Sequence, residues 1–456
     1  MRWLGGLRRS LGGDGVKSTL ARLAIPIFLE VLLVMMLGAV DTFMLSRHSD
    51  GSVAAVGLVN QIVMFCFLVF EVINLGTSVL CSQYIGAGLN AKVEKVVGVS
   101  LIVNLVLGFA ISAFLYFGDA TILGWMGLAP ELMPDGSGYL RIVGAFAFFQ
   151  ALSMTLSAAL RSADKAVYPM LVTLVINILN IVGNYSLIFG RFGFPALGVT
   201  GAAISTATCR GVAMVLLFIV VRKKLIPHFH AQNFRPFPWR ELKKLMQIGL
   251  PSAGEQASYS SSQIVITYFI NMLGVDALAT RTYCVNMIMF VYLFCISIAQ
   301  GGAICIGHYV GRGRTRAAFL LGKYVMKKSV GYTLCFSVLL ALAGPYIFGV
   351  LTDNPTIRHL GCAILWIDVV LEIGRPINIF ATNALRAAGD VNYPFYVGLI
   401  VMWSVAVAGG YIAGVWAGMG ILGMWAAFTL DENIRGAIFV RRWWSMKWST
   451  KSFVTR

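Results

Sequence analysis

The sequence predicts an all-α membrane protein of about twelve transmembrane helices, arranged as two pseudo-symmetric six-helix lobes. Three observations carry this. Hydrophobic residues make up 58% of the 456, only 12% are charged, and mean hydropathy is +0.79, far outside soluble globular usage. Apolar stretches of roughly 20 residues, each enough to cross the ~30 Å hydrocarbon core as a helix, recur along the whole chain. The chain also repeats itself: Leu160-Arg-Ser-Ala-Asp-Lys-Ala-Val-Tyr-Pro169 returns as Leu385-Arg-Ala-Ala-Gly-Asp-Val-Asn-Tyr-Pro394, a shift of 225 positions.

The same shift carries Pro26 and Glu30 onto Pro251 and Glu255, and Gly76 onto Gly301. It also carries Tyr84, Gly86 and Gly88 onto Tyr309, Gly311 and Gly313, and Arg210-Gly211 onto Arg435-Gly436. Five separated blocks at one spacing mark two homologous halves.

Polar groups punctuate the spans in order. The first, about 20 to 46, closes at Arg47 and Asp50; the second, about 53 to 80, precedes Lys92 and Lys95. The third, about 95 to 117, precedes Asp119, Glu131 and Asp135, and the fourth, about 139 to 160, ends on the first decapeptide. The fifth, about 167 to 190, opens at Tyr168-Pro169, because proline turns the residue before it away from the α region and sits well in a first helical turn. The sixth, about 197 to 221, closes on Arg222, Lys223 and Lys224. In the second half, 245 to 272 follows Lys243-Lys244, 278 to 306 precedes Arg312, Arg314 and Arg316, and 324 to 351 precedes Asp353. The span 361 to 385 ends on the second decapeptide, 394 to 416 opens at Tyr393-Pro394, and 420 to 441 closes on Arg441-Arg442.

Residues 1–222 are therefore expected as an N-lobe, 223–244 as a cytoplasmic basic linker, 245–442 as a C-lobe and 443–456 as a cytoplasmic tail. Six spans per half is an even number, so both halves start on the same side and the repeats are parallel. The binding cavity is expected between the lobes. The net charge of +17 suggests nucleic acid until its placement is considered: base collects in alternate segments, and Asp50, Asp119, Glu131, Asp135, Asp276 and Asp353 fall in the others. By the positive-inside rule both termini are expected in the cytoplasm of a cell whose plasma membrane, the inner one if Gram-negative, holds the chain. Nucleic acid is not an expected partner, and a monomer in the lipid bilayer is. No short apolar core with a cleavage site precedes the first span, so no cleaved signal peptide is expected.

Eight cysteines sit in or beside apolar spans without a Cys-x-x-Cys, so they read as packing residues. The five histidines form no His-Glu-x-x-His, and neither Gly-x-Ser-x-Gly nor a phosphate loop is present, which argues against an intramembrane enzyme and against a bound cofactor.

Acids inside spans are the informative positions, since a buried carboxylate must be paired, protonated or wet. Asp41 lies in the first span, either as an ion-coupling group or as an interfacial carboxylate near Arg47 and Asp50. Glu30 and Glu255 sit about ten residues into the first and seventh spans, ~15 Å deep, where they reach either the interlobe space or neighbouring helices. The tenth span carries Asp368, Glu372, Arg375 and Asn378, with Glu372 and Arg375 sharing a face at i, i+3. Its twin in the first half has Ala147 and Gln150 instead, which suggests that one lobe is specialised. Asn177, Asn180 and Asn184 form a stripe on the fifth span, able either to bond neighbouring helices or to ligate a hard cation such as Na⁺. Glu71 and Asn74 are further candidates. Arg161 and Arg386, in the decapeptides, are expected to reach headgroups or helix C-terminal carbonyls. Arg375 reads as the one obvious intramembrane cation.

Over essentially its whole length the chain resembles the multidrug and toxic compound extrusion (MATE) transporters. The resemblance rests on Pro26-x-x-x-Glu30 with Val40-Asp41-Thr42, Ala54-Ala-Val-Gly-Leu-Val-Asn-Gln61, and Asn180-Ile-Val-Gly-Asn-Tyr-Ser-Leu-Ile-Phe-Gly190. Gly198-Val-Thr-Gly-Ala-Ala203, Pro251-x-x-x-Glu255-Gln256 and Asn383-Ala-Leu-Arg-Ala-Ala-Gly-Asp390 complete it. It implies a V-shaped alternating-access antiporter that exports organic, often cationic, compounds in exchange for H⁺ or Na⁺. Asp41 is similar to the acid of the family's N-lobe proton or sodium site, with Asn180 a polar ligand there and Asn184 where many members have Asp. Glu255 is implied as a C-lobe coupling residue, Tyr259 stands where many members have an acid, and the Glu372, Arg375, Asn378 pattern looks like that of one subset. Ion coupling is thus expected at Asp41, Asn180, Asn184, Glu255 and Glu372, and a substrate cavity at Glu30, Asp368, Arg375 and Asn378. Export of an anionic metabolite and flipping of a lipid-linked precursor are the rivals.

Overall fold

The structure, a computed structural model, describes residues 15–227 and 237–454; the middle of the basic link, Arg235 included, lies outside the described residues. Fourteen helices are described. They are α1 (Gly15–Ser46), α2 (Asp50–Gly86), α3 (Asn90–Phe117), the short α4 (Asp119–Trp125), α5 (Met133–Ala145), α6 (Ala147–Ser162), α7 (Val167–Phe189) and α8 (Gly198–Lys224). After the link come α9 (Trp239–Met272), α10 (Val275–Gly311), α11 (Thr315–Leu351), α12 (Pro355–Ala388), α13 (Asn392–Trp416) and α14 (Gly420–Trp444).

Eight of these are long and apolar enough by themselves to span a membrane, and α5 with α6, bent by 47°, makes a ninth. The expected fourth span is thus broken at Phe146, one residue after α5 ends. The expectation of about twelve spans also counts α9, α12 and α14, which fall short on apolarity alone. The reason is physical: α12 and α14 hold most of the buried charge of the second half, and α9 carries Glu255 and a run of serines.

Helix starts reach further than hydrophobicity indicates because side chains cap them. Ser49 Oγ accepts from Ser52 N at 3.2 Å and begins α2 at Asp50; Asn354 Oδ1 accepts from Thr356 N at 2.9 Å and begins α12 at Pro355.

The internal repeat reappears as matched backbone. Gly88 and Gly313 both take the left-handed conformation, φ +73 and +72, and in each turn the following N–H donates at 2.9 Å to the tyrosine carbonyl five residues back, Leu89 to Tyr84 and Arg314 to Tyr309. The decapeptides do likewise: Lys165 N donates to Leu160 O at 3.0 Å and Asp390 N to Leu385 O at 2.9 Å, across the left-handed residues Asp164 (φ +58) and Gly389 (φ +99). The decapeptide is a helix stop followed by a start, with Pro169 and Pro394 in the first turns of α7 and α13. Its two copies differ in tolerance. Asp at the left-handed position is strained where Gly is not, and a Cβ on Gly389 would also strike the Lys451 carbonyl. Gly389→Ala is expected to cost about 1–3 kcal/mol, read as a lower unfolding midpoint in detergent. Asp164→Gly is expected to leave that midpoint unchanged or raise it.

The chain divides into two compact units, but not at the basic link. One unit runs from Ile25 to Gly249; the other comprises Leu250 onward together with the residues up to Ala24. The expected lobes, 1–222 and 245–442, therefore each exchange the first turns of their leading helix. In the Ile25–Gly249 unit, Gly76 of α2 leaves room for the start of α9, since a Cβ there would stand 2.7 Å from the Leu245 carbonyl. In the other unit Gly301 of α10, its repeat partner, receives the start of α1, with Ala24 N 3.2 Å from such a Cβ. The exchange points precede Pro26 and Pro251, each inside its helix, where the missing N–H interrupts the hydrogen-bond ladder.

Each unit has its own core. Met44, Val59, Leu115, Leu140 and Ala203 anchor the first, and Ile270, Phe348, Ile364, Met402 and Trp425 the second.

Candidate functional site

In the Ile25–Gly249 unit, α1 and α7 meet through the asparagine stripe. Asn177 Nδ2 donates to Leu33 O at 2.7 Å, so the lowest member ties helix to helix. Asn184 Nδ2 donates both to Asp41 Oδ1 at 2.7 Å and to Asn180 Oδ1 at 2.9 Å. Asp41, Asn180 and Asn184 are thus brought together as the sequence indicates. Asn180 and Asn184 are buried and Asp41 half-buried. The amide of Asn184 stands between Asp41 Oδ1 and Asn180 Oδ1, donating to both.

Arg210 of α8 acts electrostatically on both Asp41 and Tyr139. Its guanidinium lies 5.3 Å from the centre of the Phe67 ring, and one of its nitrogens is buried without a hydrogen bond. The expectation of a single intramembrane cation is therefore corrected. Arg210 is one, and its repeat partner Arg435 is another.

Glu30 is buried and Glu255 half-buried, and each has an arginine partner from a decapeptide. Arg161 lies 3.5 Å from Glu30 and Arg386 lies 2.5 Å from Glu255. The arginines pair with these acids rather than with headgroups or helix carbonyls, because a buried carboxylate needs a countercharge more than an interfacial guanidinium needs an anchor. Glu71 also feels the charge of Arg161. Asn74 serves a buried knot in which Asn104 Nδ2 and Thr155 Oγ1 donate to its Oδ1 at 3.1 and 3.0 Å.

The densest charge is in the other unit, where α12 and α14 face each other. Arg375 donates to Glu372 at 2.6 Å and to Asp368 at 3.4 Å, and Asn378 Nδ2 donates to Glu432 at 2.6 Å. Arg435 donates to Glu432 at 2.7 Å and holds both carboxylate oxygens of Asp431 through its Nε and Nη2. All four acids are at most 4% exposed. Asp431 and Glu432 were not singled out from the sequence, and Arg435 only as a mark of the repeat, although Leu-Asp-Glu-Asn-Ile-Arg inside the last span satisfies the same criterion of acids within a span. Four carboxylates against two guanidinium groups leave two negative charges uncompensated if every acid is ionised. Electroneutrality within the cluster is reached by two protons.

Paired repeats of membrane-spanning helices, with acids buried singly and in clusters at depth, define a secondary transporter rather than an enzyme or a structural protein. The chain belongs to the MatE family, whose model matches residues 26–186 and 251–412. It is 40% identical to the uncharacterized transporter YisQ of Bacillus subtilis (strain 168) over 93% of this chain and 94% of that one. It is 25% identical to the probable multidrug resistance protein NorM of Thermotoga maritima over 97% and 95%. A solved MATE structure in the bent conformation shares the fold, with a TM-score of 0.86 at 21% identity over 97% of this chain and 98% of that chain. Membership carries a multi-pass membrane location, small-molecule transport and ion coupling.

Proposed function

We propose that the protein is a secondary antiporter that exports organic compounds in exchange for protons, with Asp41 as the coupling residue beside Asn180 and Asn184. One observation carries this reading: Asp41 is held by a neutral amide at 2.7 Å, so gaining a proton removes its charge without dismantling a bidentate ion pair. Deprotonated Asp41 favours the substrate-loaded state; its protonation favours release, and the difference in affinity between the two states drives the cycle. The four-carboxylate cluster, through Glu372, is a second reservoir on the same logic, and Glu255 stands near it. Placement in the plasma membrane with cytoplasmic termini is supported by the distribution of basic residues.

The test is gradient-driven efflux from proteoliposomes. Asp41→Asn is expected to reduce efflux to the level of empty liposomes at unchanged expression and folding; full efflux from that variant removes Asp41 from coupling. Asn184→Asp replaces the bridging amide with a second carboxylate and is expected to make efflux respond to Na⁺, checked by imposing a Na⁺ gradient at constant pH.

Export of drug-like organic compounds is supported by the multidrug names of distant relatives. A second reading, an anionic substrate, is favoured by the lining of one cavity.

A further inference from the structure

Within the unit that begins at Leu250, α9, α10, α12 and α14 enclose a cavity of about 220 Å³. Its walls are aromatic and aliphatic, with Tyr259, Tyr292, Trp425 and Phe428 supplying rings. Its polar groups are Gln263, Arg281, Arg375 and the two phenols, and no carboxylate lines it. Every charge at the wall is therefore positive.

The two arginines differ. Arg375 is already engaged, donating to Glu372 at 2.6 Å and to Asp368 at 3.4 Å, while its guanidinium lies 5.8 Å from the Phe428 ring centre. Arg281 donates only to a neutral oxygen, Gln263 Oε1, at 3.2 Å, and among the described residues no carboxylate lies within ion-pair distance of it. A guanidinium half-withdrawn from water with a single neutral partner keeps most of its donors for a ligand. The acids paired with Arg375 lie behind the wall, and Glu432 acts on Tyr259 and Tyr292 from there; at the wall itself a cation would meet the Arg281 guanidinium, whereas an anion would meet a bidentate donor flanked by stacking rings.

We propose that this cavity binds a small aromatic anion, a one- or two-ring carboxylate whose oxygens are held by Arg281 and whose ring lies among Tyr259, Tyr292 and Phe428. Engineered cavities near 150 Å³ take a benzene ring, so a volume somewhat larger suits one or two rings with a carboxylate. Calling that ligand a transported substrate rests on the exporter reading; its binding does not.

The experiment is equilibrium calorimetry on the purified full-length protein in lipid nanodiscs with no ion gradient. The probes are 2-naphthoate, the shape-matched cation 2-naphthylmethylammonium and the neutral 2-naphthamide. The carboxylate is expected to bind and the ammonium not to. Arg281→Gln is expected to weaken the carboxylate by roughly 10- to 100-fold, the loss of one charge-assisted pair, with Arg281→Lys retaining part of the affinity. Val285→Trp, which fills the cavity from its exposed rim, is expected to abolish binding while leaving the unfolding midpoint in place. Tighter binding of the ammonium overturns the proposal, as does an unchanged affinity in Arg281→Gln, or absence of carboxylate binding up to millimolar concentration. Because no gradient is applied, these outcomes are independent of whether Asp41→Asn abolishes efflux.

Discussion

Arg375→Met is expected to be the most damaging single substitution in the chain, costing about 3–5 kcal/mol of stability. Arg375 is 6% exposed and is the shared countercharge of Glu372 and Asp368, which are fully buried. Without it both acids must take up protons or draw water into the helix interface, and the second oxygens of both already lack a donor. The cost should therefore reside in the carboxylates left behind rather than in the lost arginine, and that origin can be separated. A triple variant, Asp368→Asn, Glu372→Gln and Arg375→Met, removes the charges together and is expected to recover most of the unfolding midpoint in detergent while remaining inactive in efflux. If the single variant melts like the wild type, the acids are already protonated and Arg375 is not their countercharge. If the triple melts as low as the single, the loss is one of packing against Phe428. Stability should also recover partly at low pH in the single variant, since protonating Glu372 and Asp368 removes the uncompensated charge.

How much of this was legible depended on which physical signal each part leaves in the chain. Helix number and repeat were readable because bilayer thickness imposes a length and duplication imposes a register. The turn at Gly88 and its copy at Gly313 agree to within a degree in φ. Asp41, Asn180 and Asn184 were readable because polar residues stand out in apolar helices at helical spacing. Pairing was less so: Arg161 and Glu30 lie 131 positions apart, as do Arg386 and Glu255, and nothing local ties an interfacial-looking arginine to an acid in another helix. Yet the repeat held the clue, because both members of each pair obey the 225 shift. The exchange of leading turns at Ala24 and Gly249 left no signal in composition at all. It depends on tertiary packing against Gly76 and Gly301, whose missing Cβ atoms become meaningful only once their neighbours are known.

Removing the decapeptide arginines should separate the two repeats. Arg386→Ala strips Glu255 of a partner at 2.5 Å whose side chain is 13% exposed; Arg161→Ala strips Glu30 of one at 3.5 Å whose side chain is 25% exposed. The shorter pair, made by the less exposed arginine, loses the stronger interaction, so Arg386→Ala is expected to lose about 2–4 kcal/mol and Arg161→Ala about half that. The Glu255→Gln, Arg386→Ala double variant is expected to recover part of the loss, giving a coupling energy of about 1–3 kcal/mol in a double-mutant cycle read from detergent unfolding midpoints. In the other repeat the cycle should close imperfectly, because Arg161 also acts on Glu71, whose repeat equivalent is the apolar Ile296. Glu30→Gln with Arg161→Ala still leaves Glu71 without a countercharge, and only the further change Glu71→Gln is expected to restore the midpoint. Equal coupling in both repeats would mean that Glu71 contributes nothing and that the two halves kept the same electrostatics along with the same turns.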